Sequence, residues 1–385
     1  MVQNGAPVEV TFEDTISSVE ILPGENTARS DSYLAPGWID LQVNGFAGVD
    51  YNRPGISHEE VERSVEALLA TGVTRFYPTV ITASAPDMEG ALRNLARAKE
   101  SIRNGAAIEG FHVEGPHISP EDGPRGAHPR PWVRPPDIDE FHRWQDATGG
   151  RVRIVTLSPE WPGAPAYIEK ITAEGVVASI GHTKATAEQI ADAVAAGATL
   201  STHLGNGAHG MIRRHPNYIW DQLAEDRLMA DFIVDGIHLG ASFLRVALRA
   251  KGIERAVLVT DAATPAGAQP GLYRMGEQAV ELTENRRVVL AGTDRLAGSA
   301  LSMDRGVGNL MSLAGLPLAD AVRMATINPA KAGKVAGRER GLAPGDRADM
   351  IEFRCRTGLQ AGPIEILSTW IAGRCVYRKN HSTAR

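Results

Sequence analysis

The feature that most constrains the fold is a regular alternation between short apolar segments and amphipathic helical segments. The apolar segments, each ending in polar or glycine-rich residues, span 38–43, 74–80, 108–114, 152–157, 176–181, 199–204, 230–235 and 256–260. Apolar residues recur at helical spacing in the intervening stretches 58–70, 88–103, 185–195 and 243–250. This alternation predicts a parallel sheet with crossover helices, and its eight units predict a TIM-type (β/α)8 barrel. An open, doubly wound sheet is the alternative.

The two ends of the chain follow another pattern. Residues 8–12 and 18–22 alternate apolar and polar side chains, and the same period returns at 349–353 and 369–377. Neither end has enough strands for a stable sheet of its own, so we expect both ends to pair into one small β-sandwich domain. The predicted boundaries are 1–36 and 339–385 for the small domain and 37–338 for the barrel.

Composition and charge limit the classes of partner. The 385 residues are 43% hydrophobic and 22% charged, with 40 Lys and Arg against 46 Asp and Glu, so a nucleic acid is not an expected partner. The two cysteines, Cys355 and Cys375, exclude a disulfide scaffold. The sequence starts without signal-peptide features, and no apolar run approaches the roughly 18–20 residues of a membrane helix. We therefore expect a cytoplasmic protein with no membrane partner.

Polar residues of a few types follow the predicted strands at their carboxyl ends, where (β/α)8 barrels carry their active sites. In strand order they are Gln42, Asn44, Glu114, His182, His203, His238 and Asp261. A chance distribution would scatter these residue types, so the pattern predicts an active site at this end of the barrel.

Glu114, His182 and His203 have the chemistry of metal ligands. Glu114 ends an apolar strand directly before Gly115 and Pro116, which is unusual for a surface carboxylate. A single histidine at a strand end is more often structural, but two on adjacent strands near a carboxylate favour a metal. Two imidazoles and one carboxylate form the ligand set of a catalytic zinc site, which leaves the fourth position to water. Iron, cobalt and manganese are alternatives.

Asp261 follows the last predicted strand, where an unpaired buried carboxylate would be costly. It could instead cap the next helix. We prefer a catalytic role, because a carboxylate beside an activated water can take its proton and return it to a leaving nitrogen.

Seven short motifs occur in order along the chain, at 36–40, 112–116, 181–183, 202–204, 235–238, 259–262 and 298–301. With them the sequence resembles, from end to end, the N-acetylglucosamine-6-phosphate deacetylases of the amidohydrolase superfamily. The resemblance implies metal-dependent hydrolysis of the N-acetyl group of N-acetylglucosamine 6-phosphate, which yields glucosamine 6-phosphate and acetate.

The same resemblance assigns roles to individual residues. It implies that Glu114, His182 and His203 bind one divalent metal, that Asp261 is the acid and base, and that His128 polarises the acetyl carbonyl. It implies substrate binding by Ala127, Asn206, Gly207, Arg214, His238, Leu296, Ala297 and Gly298. Asn206, Gly207 and Arg214 match positions that hold the phosphate. In relatives the arginine comes from the neighbouring subunit, which implies a homodimer.

Two departures from the family pattern bear on specificity. After Leu204 many relatives have an aromatic residue and then Asn-Ala-Met, whereas this chain has the sequence GNGAH at 205–209. Another N-acyl amino sugar, with or without phosphate, therefore remains an alternative substrate. Gln42 and Asn44 stand where many amidohydrolases carry a His-x-His motif for a second metal, so one metal per chain is expected. A non-catalytic sugar-binding protein is disfavoured, because all four key residues are present.

Overall fold

The computed structural model describes residues 6–22, 32–355 and 364–380. Its strands, in chain order, are β1 (Val8–Phe12), β2 (Ile16–Ile21), β3 (Ser32–Pro36), β4 (Trp38–Val43), β5 (Gly45–Phe46), β6 (Val49–Asp50), β7 (Val73–Ile81), β8 (Phe111–Glu114), β9 (Val152–Leu157), β10 (Val177–Ile180), β11 (Leu200–Ser201), β12 (Met229–Ile233), β13 (Ala256–Val259), β14 (Gly271–Met275), β15 (Gln278–Leu282), β16 (Val288–Leu290), β17 (Met350–Arg354), β18 (Glu365–Ile371) and β19 (Arg374–Arg378). Its α-helices are α1 (His58–Leu69), α2 (Ala85–Ser101), α3 (Ile138–Thr148), α4 (Ala164–Ala173), α5 (Ala187–Ala195), α6 (Tyr218–Ala224), α7 (Ala241–Lys251), α8 (Met303–Asn309), α9 (Leu318–Ala325) and α10 (Ile327–Ala332).

Eight strands form the predicted barrel. Their order in the sheet is β13-β12-β11-β10-β9-β8-β7-β4, and a parallel bridge between Val43 and Ala262 joins its two ends. Each barrel strand is followed along the chain by one of the helices α1 to α8. Closure of the sheet and this alternation confirm the (β/α)8 prediction and rule out the open, doubly wound sheet.

Several elements differ in length from their predictions for local reasons. Helix α2 begins three residues earlier than predicted, because the Ser84 side chain caps it by accepting the Asp87 N–H. Helix α5 begins two residues later, where Thr186 and Gln189 form a capping box. Strand β11 is shorter than predicted, since the chain turns at His203, which has φ 29°.

Strands from both chain ends share one antiparallel sheet, as predicted. Its order is β19-β18-β17-β3, and β3 pairs with β17 from Met350 opposite Pro36 to Arg354 opposite Ser32. The β1–β2 hairpin packs on this sheet through a small apolar cluster that includes Ile16 and Met350. This arrangement confirms the small β domain built from both ends, while its boundaries at 36 and 339 stay a prediction.

A buried ion cluster lies where the small domain meets the amino-terminal end of the barrel. The Asp349 carboxylate, which is fully buried, is 2.7 Å from Nε of Arg75 and 2.8 Å from Nη1 of Arg338. It also accepts the backbone N–H of Ala372 at 2.8 Å. The cluster therefore joins barrel strand β7, which carries Arg75, to the start of β17 and to the β18–β19 turn in the small domain.

The three-stranded sheet that follows β13 was not predicted. Strands β14, β15 and β16 form a separate antiparallel sheet between β13 and α8. An apolar cluster that includes Ile81, Met275 and Ala297 packs it against the carboxyl ends of the barrel strands. Among the described residues, none of the helices combines the length and apolar character needed to cross a bilayer.

Candidate active site

Four predicted site residues lie at the carboxyl ends of barrel strands. Glu114 ends β8, and His182, His203 and Asp261 each come two residues after the end of their strand. These last three have φ values of 49°, 29° and 48°, in the left-handed region that non-glycine residues rarely adopt. Backbone strain of this kind concentrates at functional sites, where the surrounding structure maintains it.

Glu114 lies at the centre of a histidine cluster. Its Oε1 atom is 2.9 Å from Nε2 of His203 and 3.2 Å from Nε2 of His182. Its other oxygen, Oε2, is 3.7 Å from Nε2 of His128. All four side chains are buried. The ring nitrogens thus converge on one carboxylate from three sides.

Hydrogen bonds on the far side of the rings orient them. Nδ1 of His182 is 2.8 Å from the Pro124 carbonyl, which can only accept, so Nδ1 carries the hydrogen. The other ring nitrogen of His182, Nε2, is therefore the one that faces Glu114. Nδ1 of His128 is 2.8 Å from the Thr82 hydroxyl. Such contacts to the second ring nitrogen are typical of histidines that ligate metals.

The cluster favours a positive charge at its centre. Burial alone would raise the pKa of Glu114, but hydrogen bonds from His182 and His203 hold it well below its usual range. Burial would likewise lower the pKa of His203, yet the hydrogen bond and charge of Glu114 raise it to about 9. A divalent cation can supply the positive charge that the ionised Glu114 favours. One carboxylate with two or three imidazoles is a donor set that suits zinc.

Two ligand sets are compatible with these positions. The ligand atoms of Glu114, His128 and His182 lie within 4.8 Å of one another. The predicted set replaces His128 by His203, whose Nε2 is closer to the carboxylate, at 2.9 Å. The described residues thus fit a metal ion, and Glu114 and His182 belong to both sets.

Two side-chain amides at the carboxyl end of β4 hold Asp261: Gln42 lies in the strand and Asn44 directly follows it. Nε2 of Gln42 donates to Oδ1 of Asp261 at 3.0 Å, and Nδ2 of Asn44 donates to the same oxygen at 2.6 Å. Burial, together with the negative charge of Glu114, raises the pKa of Asp261 to about 6. A carboxylate with this pKa is mainly ionised at neutral pH and can accept a proton there.

A pocket of about 130 Å³ opens over this cluster. Its lining includes most of the predicted site: Glu114, Ala127, His128, His182, His203, Asn206, Gly207, His238, Asp261, Leu296 and Gly298. Ala297 is buried in the apolar cluster beneath the β14–β16 sheet and does not line the pocket. Arg214 is exposed on the loop before α6 and is likewise outside the lining.

The pocket also has lining residues that were not predicted. These are Ile81, Gly126 and Met275, and Asn44, one of the polar residues expected at this end of the barrel, completes the wall. Met275 belongs to the unpredicted sheet, which is held over the site by a hydrogen bond from Gln278 to the Ala127 carbonyl. No sequence signal pointed to Met275, because its contact with the barrel depends on the path of the whole β14–β16 segment.

Comparisons with known proteins agree with this geometry. The N-acetylglucosamine-6-phosphate deacetylase of Bacillus subtilis (strain 168) is 34% identical over 85% of this chain and 82% of its own length. The N-acetylgalactosamine-6-phosphate deacetylase of Escherichia coli O157:H7 is 31% identical over 94% of this chain and 92% of its own. The structure of N-acetyl-D-glucosamine-6-phosphate deacetylase from Mycobacterium smegmatis, in complex with N-acetyl-D-glucosamine-6-phosphate, superimposes with a TM-score of 0.84. It is 32% identical and covers 94% of this chain and 93% of its own.

The sequence model described as the amidohydrolase family matches residues 33–376, which include the whole barrel and strands β17 and β18 of the small domain. The resemblance carried by the seven motifs is therefore confirmed. Fold, site geometry and sequence agree, and the chain belongs to the amidohydrolase family.

Proposed function

We propose that this enzyme hydrolyses the N-acetyl group of N-acetylglucosamine 6-phosphate to glucosamine 6-phosphate and acetate. The observation that carries the proposal is the convergence of Glu114, His182 and His203 beside Asp261 in one buried pocket. Relatives with the matching name, one of them solved with this sugar phosphate, support the choice of substrate. The chain has two cysteines, too few for a disulfide scaffold, which agrees with a cytoplasmic location.

We assign Glu114, His182 and His203 as ligands of one divalent metal ion, zinc. When bound, such an ion supplies Lewis acidity that polarises the amide carbonyl and lowers the pKa of the attacking water. The choice of His203 over His128 rests on its shorter distance to the carboxylate, 2.9 Å against 3.7 Å. His128 is then left for the substrate.

Asp261 and His128 divide the remaining chemistry. Both amides hold Oδ1 of Asp261, which leaves Oδ2 to take the proton of the attacking water and return it to the leaving nitrogen. Burial and the nearby His182 lower the pKa of His128 to about 3, so its ring is neutral. With Nδ1 accepting a hydrogen bond from the Thr82 hydroxyl, the ring carries its hydrogen on Nε2, which donates to the acetyl carbonyl as charge develops there.

A deacetylation assay with defined metal tests the proposal. The purified chain, stripped of metal and reloaded with Zn²⁺, Fe²⁺, Co²⁺ or Mn²⁺, is given N-acetylglucosamine, N-acetylgalactosamine and N-acetylmannosamine with and without 6-phosphate. We expect acetate release to be fastest from N-acetylglucosamine 6-phosphate. Release from none of these sugars, with binding retained, would instead indicate a sugar-binding protein without turnover.

A single metal ion per chain is expected at full activity. Gln42 and Asn44 present neutral amides, and both already donate to Asp261, so they are poor ligands for a second zinc. Elemental analysis during zinc titration should therefore show activity reaching its plateau at about one equivalent. A plateau that requires two tightly bound ions would contradict this expectation.

The variants His128→Gln and His203→Gln separate the two ligand sets. If His203 is the ligand, His203→Gln should lose bound metal, whereas His128→Gln should keep it and lose turnover by about 10²–10³-fold, the range for one oxyanion donor. Metal content by mass spectrometry and kcat on the reloaded proteins decide between them. The opposite pattern would make His128 the ligand.

We infer a homodimer in which Arg214 reaches the partner's pocket. The loop that carries Arg214 also exposes Met211 by 93% and Ile212 by 40%, an apolar surface that a second copy would cover. Arg214→Ala should raise KM for the phosphorylated sugar by roughly 10- to 150-fold, or about 1.5–3 kcal/mol, with little effect on the unphosphorylated one. Arg213→Ala on the same loop is the control. Equal losses on both substrates would show that the loop serves another ligand.

A further inference from the structure

Asp235 and His238 form a closed hydrogen-bonded pair in the loop after β12. Oδ2 of Asp235 is 2.7 Å from Nδ1 of His238. Its Oδ1 accepts the backbone N–H groups of Ile237 and His238, each at 2.8 Å. Gly236, with φ 75°, lets the chain turn so that these N–H groups point back at the carboxylate. The side chains of the pair are 8% and 7% exposed.

These contacts determine where the hydrogen on the His238 ring lies. Burial alone would raise the pKa of Asp235, but the hydrogen bonds from His238 and from the two backbone N–H groups lower it, so the side chain is ionised. An ionised carboxylate only accepts hydrogen bonds, and therefore Nδ1 of His238 must be the donor. In the neutral ring the lone pair is then on Nε2.

His238 also lines the active-site pocket, together with Asp261 and Asn206. With Nδ1 engaged by Asp235, Nε2 is the polar atom of this side chain that remains for a ligand. A bare ring nitrogen accepts a hydrogen bond but cannot donate one. The wall of the pocket at His238 therefore matches a ligand group that carries a proton.

We propose that Asp235 is a positioning residue that keeps Nε2 of His238 a hydrogen-bond acceptor, and that the pair selects substrates presenting a sugar hydroxyl proton at that point. The selection half of the inference rests on the function proposed above. The tautomer half does not, because it follows from the contacts of Asp235 alone.

The wild-type protein tests the tautomer directly. In the ¹⁵N-labelled, zinc-loaded protein at pH 7.5, long-range ¹H–¹⁵N spectra distinguish a protonated from a bare ring nitrogen, and His238→Gln assigns the signals. We expect the hydrogen on Nδ1 and a bare Nε2. A neutral ring with the hydrogen on Nε2, or an imidazolium ion, would overturn the proposal.

Asp235→Asn should reverse this state. Its single oxygen can keep the two backbone N–H bonds, and the amide then faces Nδ1 and donates to it, which moves the ring hydrogen to Nε2. The change should appear in the same spectra. Asp192→Asn, on the exposed face of α5, is the matched control and should leave the His238 signals unchanged.

Ring-fluorinated sugars test the selection. A C–F group accepts weakly and cannot donate, so 3-deoxy-3-fluoro and 4-deoxy-4-fluoro analogues of N-acetylglucosamine 6-phosphate probe two hydroxyls. For the wild type, one analogue should lose about ten-fold or more in kcat/KM, the scale of an unpaired polar group. In Asp235→Asn that ratio should shrink towards one, while the ratio at the other position stays constant. Identical ratios in the wild type and Asp235→Asn would refute the selection.

Failure of the proposed function would look different. A wild type that releases no acetate from the unmodified sugar phosphate would reject that substrate, while the spectra would still decide the role of Asp235. A wild type that hydrolyses the natural sugar but tolerates both fluorinated analogues would keep the function and reject selection by His238.

Discussion

Asp261→Asn is expected to lower turnover by about 10²–10⁴-fold while the variant keeps about one metal ion per chain. The substitution is conservative in geometry, because the new side-chain oxygen can still accept both amide hydrogen bonds from Gln42 and Asn44. It removes only the oxygen that takes the proton from water. The loss should therefore appear in kcat, with KM for the sugar phosphate nearly unchanged.

The measurement combines steady-state kinetics with elemental analysis of the same zinc-loaded sample. Asp192→Asn, on the exposed face of α5, provides the control for a lost carboxylate elsewhere. Wild-type turnover in a metal-loaded Asp261→Asn protein would exclude Asp261 as the base. Loss of the metal would instead make Asp261 a ligand.

Asp349→Asn should destabilise the protein by about 3–5 kcal/mol, the cost of breaking a buried ion pair. The variant leaves the guanidinium groups of Arg75 and Arg338 in the protein interior without the carboxylate that both contact. Urea unfolding followed by circular dichroism measures the difference. Asp146→Asn, on the exposed surface of α3, is the control. A midpoint equal to that of the control would refute a structural role for the cluster.

The stability difference between the wild type and Asp349→Asn should depend on pH. Burial would raise the pKa of Asp349, but Arg338 and Arg75 outweigh it and lower the pKa from 3.8 to about 2. Because the pKa in the folded state is the lower one, the stabilisation is fully present above the unfolded value and disappears as pH falls through about 2. The difference in free energy of unfolding between the wild type and Asp349→Asn should therefore be constant from about pH 5 upward and shrink below pH 3.8.

Much of the site could be predicted because a barrel converts sequence position into spatial position. Glu114, His182, His203 and Asp261 all follow apolar segments, and the carboxyl ends of parallel strands meet at one end of the barrel. The clustering of these residues follows from that rule. The prediction could not say which histidines would contact Glu114, since that depends on side-chain directions and interatomic distances that the sequence does not record.

Other residues owe their place to contacts that no local pattern records. Met275 reaches the pocket from a sheet whose short, half-exposed strands carry a weak alternation. Arg75 meets Asp349 across 274 positions in the chain. Two such charged residues, considered alone, look like ordinary surface groups.

The sequence alone therefore determined the barrel, the pairing of the chain ends and the four residues at the strand ends. These depend on periodic burial of apolar side chains, which acts over a few residues and is visible in the chain itself. Only the tertiary structure decided that Gln42 and Asn44 hold one oxygen of Asp261, and that Asp235 orients His238 at the pocket wall. Hydrogen bonds depend on distance and angle between atoms that folding brings together, so their partners cannot be inferred from residue types and spacing.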